Sequence, residues 1–513
     1  MKIDMDDMED TENRLICLDV GSHNISDVFP EIVQSIGKSA FISLDLELSG
    51  LGDRTKLRAM SIDERYEGVR ETAKTHSIIS IGLSLFMEKR VPDVWNGGSM
   101  YNVESYNLFL LEDDNYLVEP ASMRFLVEHG FDFNKQYSCG LSYKKGINLE
   151  HVDATEPSIR NLLLNVILAS KPLVLHNGFV DVIFLYQNFY AELPRTLQTF
   201  CADINEIFHG GVYDTKYIAE FHAREKASYL EYLFKKCQLN NAKLEASCQP
   251  SIRWLSHQFE EYKSTADWIS ETLDLPTPEM LCSISDEDID SLCEGFAARG
   301  YCKEGPACTK VHNVNLALAC EERSRQRKIE KQERRKRKRE QQQQQQQQEN
   351  GKNKILKNNP DFGQNSSCEN FGTNPQTIPN LNEQYNFCIM PQYDDKCTTP
   401  SNEEQGEDLL VRKDTQNTET NGELSNFKID IRHKNKGHTA GLDAFMTGYI
   451  FAHYRCKFQE CITDLANKMY LSGKDMPLLV YKSNYSKTSK PHQDMLSILH
   501  RMQTTTDQLK AIQ

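Results

Sequence analysis

The alternation of apolar and polar residues predicts strands early in the chain. Four runs have the period-two pattern or the short apolar stretch that is typical of β-strands. They are AFISLDLE (40–47), SIISIGLSLFM (77–87), YNLFLL (106–111) and KPLVLH (171–176). Because successive side chains of a strand point to opposite faces, each run has at least one apolar face to bury.

Apolar residues recur with helical spacing in three further runs. They are SIRNLLLNVILAS (158–170), FVDVIFLYQNFYAEL (179–193) and ASYLEYLFKKC (227–237). Strands come first, followed by helix, strand and helix. This order predicts an α/β fold in which helices pack against a mixed sheet.

The composition changes between about residues 240 and 435. This segment contains a Cys-rich island (293–312), a basic run (323–339), eight glutamines (341–348) and then a tract rich in Asn, Gln, Glu and Thr. A tract of this kind cannot bury enough apolar surface to offset its chain entropy, so we expect disorder there.

Packed-protein sequence returns at HTAGLDAFMTGYIFAHY (438–454), an apolar helical face that is too short to fold alone. We therefore expect it to dock back onto the first region.

The predicted boundaries are an acidic disordered tail (1–24), the first part of a globular domain (25–240), a linker (241–288), a Cys-rich module (289–314), a basic, glutamine-rich and disordered insertion (315–435), the last part of the domain (436–490) and a tail (491–513).

Composition narrows the class of protein. Only 39% of the 513 residues are hydrophobic, so we expect part of the chain to be unpacked. The formal net charge of −15 argues against a protein that coats nucleic acid indiscriminately. No apolar run approaches the roughly 20 residues that span a bilayer, and no secretory signal follows the acidic start. We expect a soluble, non-secreted protein whose fifteen cysteines are reduced and in part bind metal.

The first predicted strand carries two carboxylates, Asp45 and Glu47, among apolar residues. Residues two apart in a strand share one face, so the two acids lie side by side. Half-exposed strands also present acids to solvent, and this remains the alternative. If the acids are buried, their repulsion predicts a positive charge between them.

Three further residues complete a pattern. Asp181 begins a predicted helix after His-Asn-Gly (176–178), and Asp443 lies five residues after His438 near the start of the last helix. Together with the strand acids they resemble the DEDDh class of 3′-to-5′ exonucleases. The segments DLELSGLGD, PLVLHNGFVDVIFLYQNFY, YDTKYIAEFHAR, HTAGLDAFMTGYIFA and YLSGKDMPL resemble the nuclear deadenylases of the CAF family, relatives of poly(A)-specific ribonuclease. The resemblance implies a ribonuclease H-like fold.

The resemblance also implies roles for these residues. Asp45, Glu47 and Asp443 would hold the Mg²⁺ or Mn²⁺ ion that carries the attacking water, and Asp45 with Asp181 would hold a second ion. Two such ions suit phosphodiester hydrolysis, and hard cations prefer carboxylate oxygens. His438, neutral near pH 7, would accept the proton from that water.

The sequence motifs that predict substrate contacts are less specific than the carboxylate pattern. His176 and Asn177 are either substrate-binding residues or ordinary turn residues at a strand end. In the Asp214-Thr-Lys216 turn, Lys216 either meets a phosphate or belongs to a structural loop.

The cysteine island predicts a structural zinc site. Cys293, Cys302, Cys308 and His312 have the spacing C-x8-C-x5-C-x3-H, which resembles a CCCH zinc finger. Three thiolates and one imidazole fill a tetrahedral Zn²⁺ shell and leave no open position for catalysis. Exposed aromatic residues of such fingers can stack on unpaired bases, and Phe296 and Tyr301 are the candidates. The alternatives are a chance alignment and a finger that binds protein.

Residues 323–339 hold eleven Lys or Arg against two Glu, a local charge of +9. Such a run predicts a nuclear import signal, phosphate contact or both, and the alternative is a solvated helix.

The resemblance thus implies a nuclear exoribonuclease, found in nucleoli and Cajal bodies, that removes adenosines from RNA 3′ ends and releases nucleotide 5′-monophosphates. Its expected partners are small nuclear RNAs, nuclear import receptors and, since related deadenylases dimerise, a second copy of the chain. The rival interpretations are an inactive RNA-binding adaptor that acts through the finger, and a DNA 3′ exonuclease.

Overall fold

The computed structural model describes residues 17–89, 100–146, 156–243, 251–254, 281, 283–356 and 439–512. The chain divides into two compact units, one made of residues 1–328 with 430–513 and the other of residues 329–429. All of the groups discussed below as catalytic or metal-binding lie in the first unit. Among the described helices, none is long and apolar enough to cross a bilayer.

A mixed sheet forms the centre of the first unit. Its strands are β1 (Cys17–Val20), β2 (Phe41–Leu48), β3 (Ile78–Lys89), β4 (Met100–Glu112), β5 (Leu141–Tyr143), β6 (Leu173–Leu175), β7 (Val212–Asp214), β8 (Ser251–Trp254), β9 (Lys468–Met469) and β10 (Leu478–Leu479). They are ordered β1-β4-β3-β2-β6-β7-β9-β10, and β5 and β8 also pair with β4. The pairs β2–β3 and β3–β4 are antiparallel, whereas β2–β6 and β6–β7 are parallel. The predicted mixed sheet is confirmed.

Helices cover both faces of this sheet. They are α1 (Ile25–Lys38), α2 (Arg54–Leu57), α3 (Ile62–Thr75), α4 (Pro120–Glu128), α5 (Phe133–Cys139), α6 (Ile159–Leu168), α7 (Phe179–Leu185), α8 (Leu197–Ile207), α9 (Thr215–Tyr217), α10 (Leu230–Lys243), α11 (Asp286–Asp290), α12 (Glu294–Arg299), α13 (Val314–Leu356), α14 (Ala440–Phe458) and α15 (Lys490–Ile512). Successive side chains of β2 alternate between two hydrophobic cores, one on each face of the sheet. Ile42, Leu44 and Leu46 join the core formed by α1, α3, α6 and α7, while Phe41 joins the core of α10 and α14. The predicted helices on the sheet are therefore confirmed.

The last predicted helix docks where the sequence pattern required it. The α14 helix lies across β2 and β3, and small residues allow the close approach. A Cβ atom on Gly82 of β3 would lie 1.7 Å from the carbonyl oxygen of Ala440. A Cβ atom on Gly448 would lie 2.1 Å from the ring of Phe86. At Gly82 the backbones of strand and helix meet, and at Gly448 the helix backbone meets the Phe86 side chain.

The structure differs from the predicted tails at both ends. The β1 strand pairs in parallel with β4 and is buried, although it falls in the expected acidic tail (1–24). Its one acid, Asp19, is neutralised by Lys135 at 2.5 Å. In the expected tail 491–513, α15 buries Met495, Ile498 and Leu499, which have the three- and four-residue spacing of one helical face.

Two further differences fall within the predicted insertion. A strand, β8, forms inside the expected linker (241–288) and pairs with Met100–Val103 of β4. The α13 helix runs through the basic run and the glutamines, so disorder does not begin at residue 315. Lys, Arg, Glu and Gln all have high helix propensity, and pairs such as Glu333–Arg337 add to it. Residues 357–435, the rest of the expected disorder, lie outside the described residues.

Candidate active site and zinc cluster

The β2 strand presents Asp45 and Glu47 on the face that α14 covers. In the antiparallel ladder Asp45 lies opposite Gly82 and Glu47 opposite Ser80, and both carboxylates are half-buried. The absence of a side chain on Gly82 lets the start of α14 approach the sheet beside Asp45. The ladder slips between Glu47 and Leu48, so regular pairing ends directly after the second acid.

The start of α14 brings the third carboxylate to this point. The Thr439 side chain accepts a hydrogen bond from the amide of Leu442 at 3.4 Å and caps the helix. Asp443 then lies in the first helical turn. One carboxylate oxygen from each of Asp45, Glu47 and Asp443 can be chosen so that all three lie within 4.8 Å of one another.

The electrostatics of this cluster suit a bound cation. Burial raises the pKa of Asp45 well above its ordinary value, and the charges of Asp443, Glu47 and Asp181 raise it further. Burial also raises the pKa of Asp181 to about 7. Crowded carboxylates disfavour their charged forms unless a positive charge lies among them. The donor set, all oxygen, is the one that Mg²⁺ and Mn²⁺ prefer, so these residues fit the expected metals.

Asp181 is positioned by a tight turn. Asn177 has a left-handed backbone (φ 61°), and Gly178 precedes the first turn of α7, which carries Asp181. The amide of Asn177 donates a hydrogen bond of 2.9 Å to Asp214. Asp181 is not part of the three-residue cluster, but it is close enough to raise the pKa of Asp45.

Asp214 is a site-organising residue that sequence reasoning missed. Its buried carboxylate accepts hydrogen bonds from the amides of Asn177 (2.9 Å), Lys216 (3.0 Å) and Tyr470 (2.9 Å). It thereby ties together three loops that surround the site. The sequence contains a pattern that could have identified Asp214, because an Asp that follows a short strand and precedes a helix is a typical N-cap residue.

The two predicted substrate contacts at 176 and 177 differ in exposure. His176 is half-buried, and its Nδ1 atom is 2.9 Å from the hydroxyl of Thr215. Burial, with a smaller effect of Lys216, lowers the pKa of His176 to about 3, so the ring is neutral at pH 7. Asn177 is exposed. Both residues line the cavity that also includes Glu47 and Asp181, and their contact with substrate stays a prediction.

Lys216 is engaged within the protein. Its ammonium donates to the hydroxyl (2.7 Å) and the carbonyl oxygen (3.2 Å) of Ser228, and lies 3.6 Å from Glu220. It also lies 5.0 Å from the centre of the Tyr470 ring. These contacts fit the structural-loop alternative, and the phosphate contact stays a prediction.

A cavity of about 550 Å³ opens beside the acids. Its walls include apolar residues and three arginines. The residues around it include Glu47, Leu51, Arg54, Arg58, Arg65, Phe125, His176, Asn177, Asp181 and Tyr470. His438, the predicted general base, lies outside the described residues.

The predicted zinc ligands come together. Cys293, Cys302, Cys308 and His312 each place a ligand atom within 4.8 Å of the others. The Nε2 atom of His312 is buried and has no hydrogen-bond partner among the described residues, as expected of a metal-binding nitrogen. The backbone amide of Phe296 lowers the pKa of Cys293, which favours the thiolate. The four residues therefore fit Zn²⁺.

The finger packs on the catalytic unit. The ring of Phe296 stacks on His312 (centroids 4.9 Å apart, planes at 7°) and lies 5.9 Å from Tyr229. A Cβ atom on Gly300 would lie 2.7 Å from Tyr229. Phe296 is thus occupied within the protein, whereas Tyr301 is 58% exposed with Arg299 5.5 Å above its ring.

Comparison with known proteins places this arrangement in a family. The model of the CAF1 family ribonucleases matches residues 20–156 and 144–451, which is most of the chain. The chain belongs to the CAF1 family of ribonucleases. The family match confirms the resemblance to CAF-family enzymes found in the sequence, and the observed mixed sheet agrees with the ribonuclease H-like fold that this resemblance implies.

Individual relatives match over shorter stretches. The chain is 24% identical over 139 residues to "Poly(A)-specific ribonuclease PARN" of Danio rerio, covering 25% of this chain and 20% of that protein. It is 26% identical over 135 residues to "Pre-piRNA 3'-exonuclease trimmer" of Bombyx mori, covering 25% and 24%. The matches thus span about a quarter or less of these relatives.

A solved structure is also similar. It is the Mg²⁺- and Mn²⁺-bound form of S. pombe Pop2p, which is 20% identical and covers 43% of this chain and 82% of that one with a TM-score of 0.32.

Proposed function

We propose that this ribonuclease is a metal-dependent 3′-to-5′ exonuclease that removes adenosines from RNA 3′ ends. The observation that supports the proposal best is the convergence of Asp45, Glu47 and Asp443 within 4.8 Å, next to a cavity that contains Asp181. Three acids on two distant segments have no structural need to meet, and their repulsion opposes folding unless a ligand lies among them.

The residues divide the metal binding between them. Asp45, Glu47 and Asp443 would hold one Mg²⁺ or Mn²⁺ ion, and Asp45 with Asp181 would hold the second. When bound, such ions neutralise charge on the attacking and leaving oxygens and lower the pKa of the attacking water. Asp214 keeps Asp181 in place through the Asn177 turn, so that the second pair of ligands is positioned before substrate arrives.

His438 would act on the proton of the attacking water. It accepts that proton while the water oxygen forms a bond to phosphorus and the bond from phosphorus to the 3′ oxygen of the preceding nucleotide breaks. The leaving 3′ oxygen takes up a proton from solvent, so the products are a nucleoside 5′-monophosphate and an RNA that is one residue shorter with a 3′-hydroxyl. His176, neutral at pH 7 and hydrogen-bonded to Thr215 and to the backbone of Ser228, would line the nucleotide site without adding charge.

A 5′-labelled RNA that ends in adenosines tests the proposal. Full-length protein in Mg²⁺ should shorten it stepwise from the 3′ end and give a ladder of products. No ladder should form in the presence of EDTA or with Asp45→Asn. Asp113→Asn, an exposed acid outside the site, is the matched control. His438→Ala should lower kcat about 100-fold while RNA affinity stays near wild type. An intact RNA that still binds the protein would support the inactive-adaptor interpretation.

The choice of substrate needs its own comparison. Matched oligonucleotides that end in adenosine, uridine or deoxyadenosine should be cleaved at different rates, with the adenosine-ended RNA fastest. Equal rates on RNA and DNA would favour the rival DNA exonuclease. Trimming of small nuclear RNA 3′ tails is tested by sequencing those ends in cells that express Asp45→Asn in place of wild type; unchanged ends would exclude this role.

The basic run (323–339) is proposed to direct nuclear import, and import receptors would be its partners. It lies on α13, whose described side chains in this run are mostly exposed, which is compatible with an import receptor reading it. Deleting the run should move a tagged protein to the cytoplasm. Continued nuclear residence would show that another segment carries the signal.

A further inference from the structure

Three arginines line the cavity beside the acids, and they differ in exposure and in the contacts of their side chains. Arg65 is buried, and its guanidinium donates to the carbonyl oxygens of Ala59 (2.6 Å) and Ser472 (2.7 Å). It therefore joins the start of α3 to the loop at residue 472. Arg54 and Arg58 are exposed. Neither side chain makes an ion pair or hydrogen bond with any residue that the structure describes.

Local contacts fix the backbone of the segment that carries these two arginines. The carboxylate of Asp53 accepts hydrogen bonds from the amide (2.8 Å) and the hydroxyl (2.6 Å) of Thr55. The amide of Gly52, whose φ is 75°, donates to Glu119 at 2.5 Å. A Cβ atom on Gly68 of α3 would lie 2.6 Å from Lys56, so α2 is packed closely on α3.

Arg54 is the first residue of α2, and Arg58 is the residue at which this single helical turn ends. Both line the same cavity as Glu47 and Asp181. Two guanidinium groups in one cavity, neither with an anionic partner among the described residues, favour the binding of an anion there.

The acids and the arginines have different tasks in such a cavity. Metal ions at the carboxylates would neutralise the phosphate that is being cleaved. The phosphates further toward the 5′ end of the RNA each carry a charge that the metals do not reach. Guanidinium groups bind phosphate oxygens through two parallel hydrogen bonds, which a point charge cannot do.

We propose that Arg54 and Arg58 bind the backbone phosphates of the nucleotides upstream of the scissile bond. This inference rests on the proposed exonuclease function and assigns part of its substrate selectivity. The pair favours RNA tails of several nucleotides over very short products, because only a longer tail has phosphates that reach both guanidinium groups.

Two substrates distinguish this role from a general loss of activity. An adenosine dinucleotide has a single phosphate, the scissile one, whereas a long oligoadenylate also has upstream phosphates. In Arg54→Ala/Arg58→Ala, kcat/KM for the long RNA should fall about tenfold more than kcat/KM for the dinucleotide. The logarithmic salt dependence of kcat/KM for the long RNA should also become shallower by about 1.4, the value for two lost phosphate contacts on a single strand.

Matched variants complete the design. Arg195→Ala removes an exposed arginine that does not line the cavity and should leave both substrates unaffected. Arg54→Lys/Arg58→Lys keeps the charge but not the paired hydrogen bonds and should lie between wild type and the alanine variant. Thermal melting of each variant checks that the fold is kept.

Every outcome bears on the inference. A parallel fall on both substrates, or an unchanged salt dependence, would overturn the phosphate role while the exonuclease proposal stands. Wild-type protein that cleaves neither substrate in Mg²⁺ would overturn the exonuclease proposal and this inference with it.

Discussion

The hydroxyl of Ser43 in β2 donates a hydrogen bond of 2.7 Å to the carbonyl oxygen of Ala444 in α14, across 401 residues of chain. Ser43 is two positions before Asp45, and Ala444 directly follows Asp443. The bond therefore joins the two elements that supply the carboxylate cluster. It works together with Gly82 and Gly448, where the absence of a side chain lets helix and strand touch.

Gly82→Ala should separate these elements. The new methyl group would lie 1.7 Å from the carbonyl oxygen of Ala440, so the start of α14 must shift and carry Asp443 with it. We expect a loss of about 1–3 kcal/mol in the free energy of unfolding and a weaker affinity for Mn²⁺ measured by calorimetry. Gly37→Ala is the control, because a Cβ atom there meets nothing within 4 Å. Wild-type stability and Mn²⁺ affinity in Gly82→Ala would contradict this account.

The two aromatic residues of the finger should behave differently when truncated. Tyr301→Ala should weaken RNA binding about tenfold with an unchanged Tm, because an exposed ring is free to stack on a base. Phe296→Ala should instead lower Tm, because it removes the stack on His312 and the contact with Tyr229. Binding and melting are measured on the same preparations. If RNA affinity does not change in Tyr301→Ala, the finger is better explained as a protein-binding module.

Loss of the Zn²⁺ ion predicted at the cysteine cluster should destabilise the catalytic unit as well as the predicted finger. Leu292, beside Cys293, and Val314 and Leu318 on α13 are buried in the same core as Phe234 of α10 and Phe445 of α14, whose rings contact each other. Cys302→Ser, or treatment with a strong zinc chelator, should lower Tm by about 5 °C or more. Cys461→Ser, an exposed cysteine outside the cluster, is the control. If the finger melts in a separate transition and the Tm of the main transition does not change, the coupling is refuted.

Acid should destabilise the contact between α10 and α14 through His453. This buried ring is 2.6 Å from the side-chain oxygen of Asn241, and burial lowers its pKa from 6.5 to about 4. Since the unfolded chain takes up a proton that the folded chain excludes, stability is lost as pH falls from about 6.5 toward 4, by about 1.4 kcal/mol per unit.

His453→Gln should make this loss shallower, because glutamine does not titrate. Urea midpoints across this pH range measure the difference, and His209→Gln at an exposed histidine is the matched control. A pH dependence that His453→Gln leaves as steep as wild type would assign the acid sensitivity to other groups.

The local parts of the site were predictable from sequence. Asp45 and Glu47 share a face because a strand has a period of two, and no other part of the chain is needed for that conclusion. The zinc ligands fall within twenty residues, so short loops suffice to bring them together. Asp443 and Asp181 were found through recognisable segments, which indicated their roles but not their geometry.

The tertiary structure decided what depends on distant contacts. The meeting of Asp443 with Asp45, the bonds that Asp214 makes to three loops and the cavity wall of Arg54 and Arg58 all arise from packing between separate segments. It also decided that Phe296 is enclosed and Tyr301 exposed. Sequence periodicity determines which face of an element is apolar, because that is a property of neighbouring residues. Which element covers that face depends on shape and volume across the whole core, and these are properties of the folded chain.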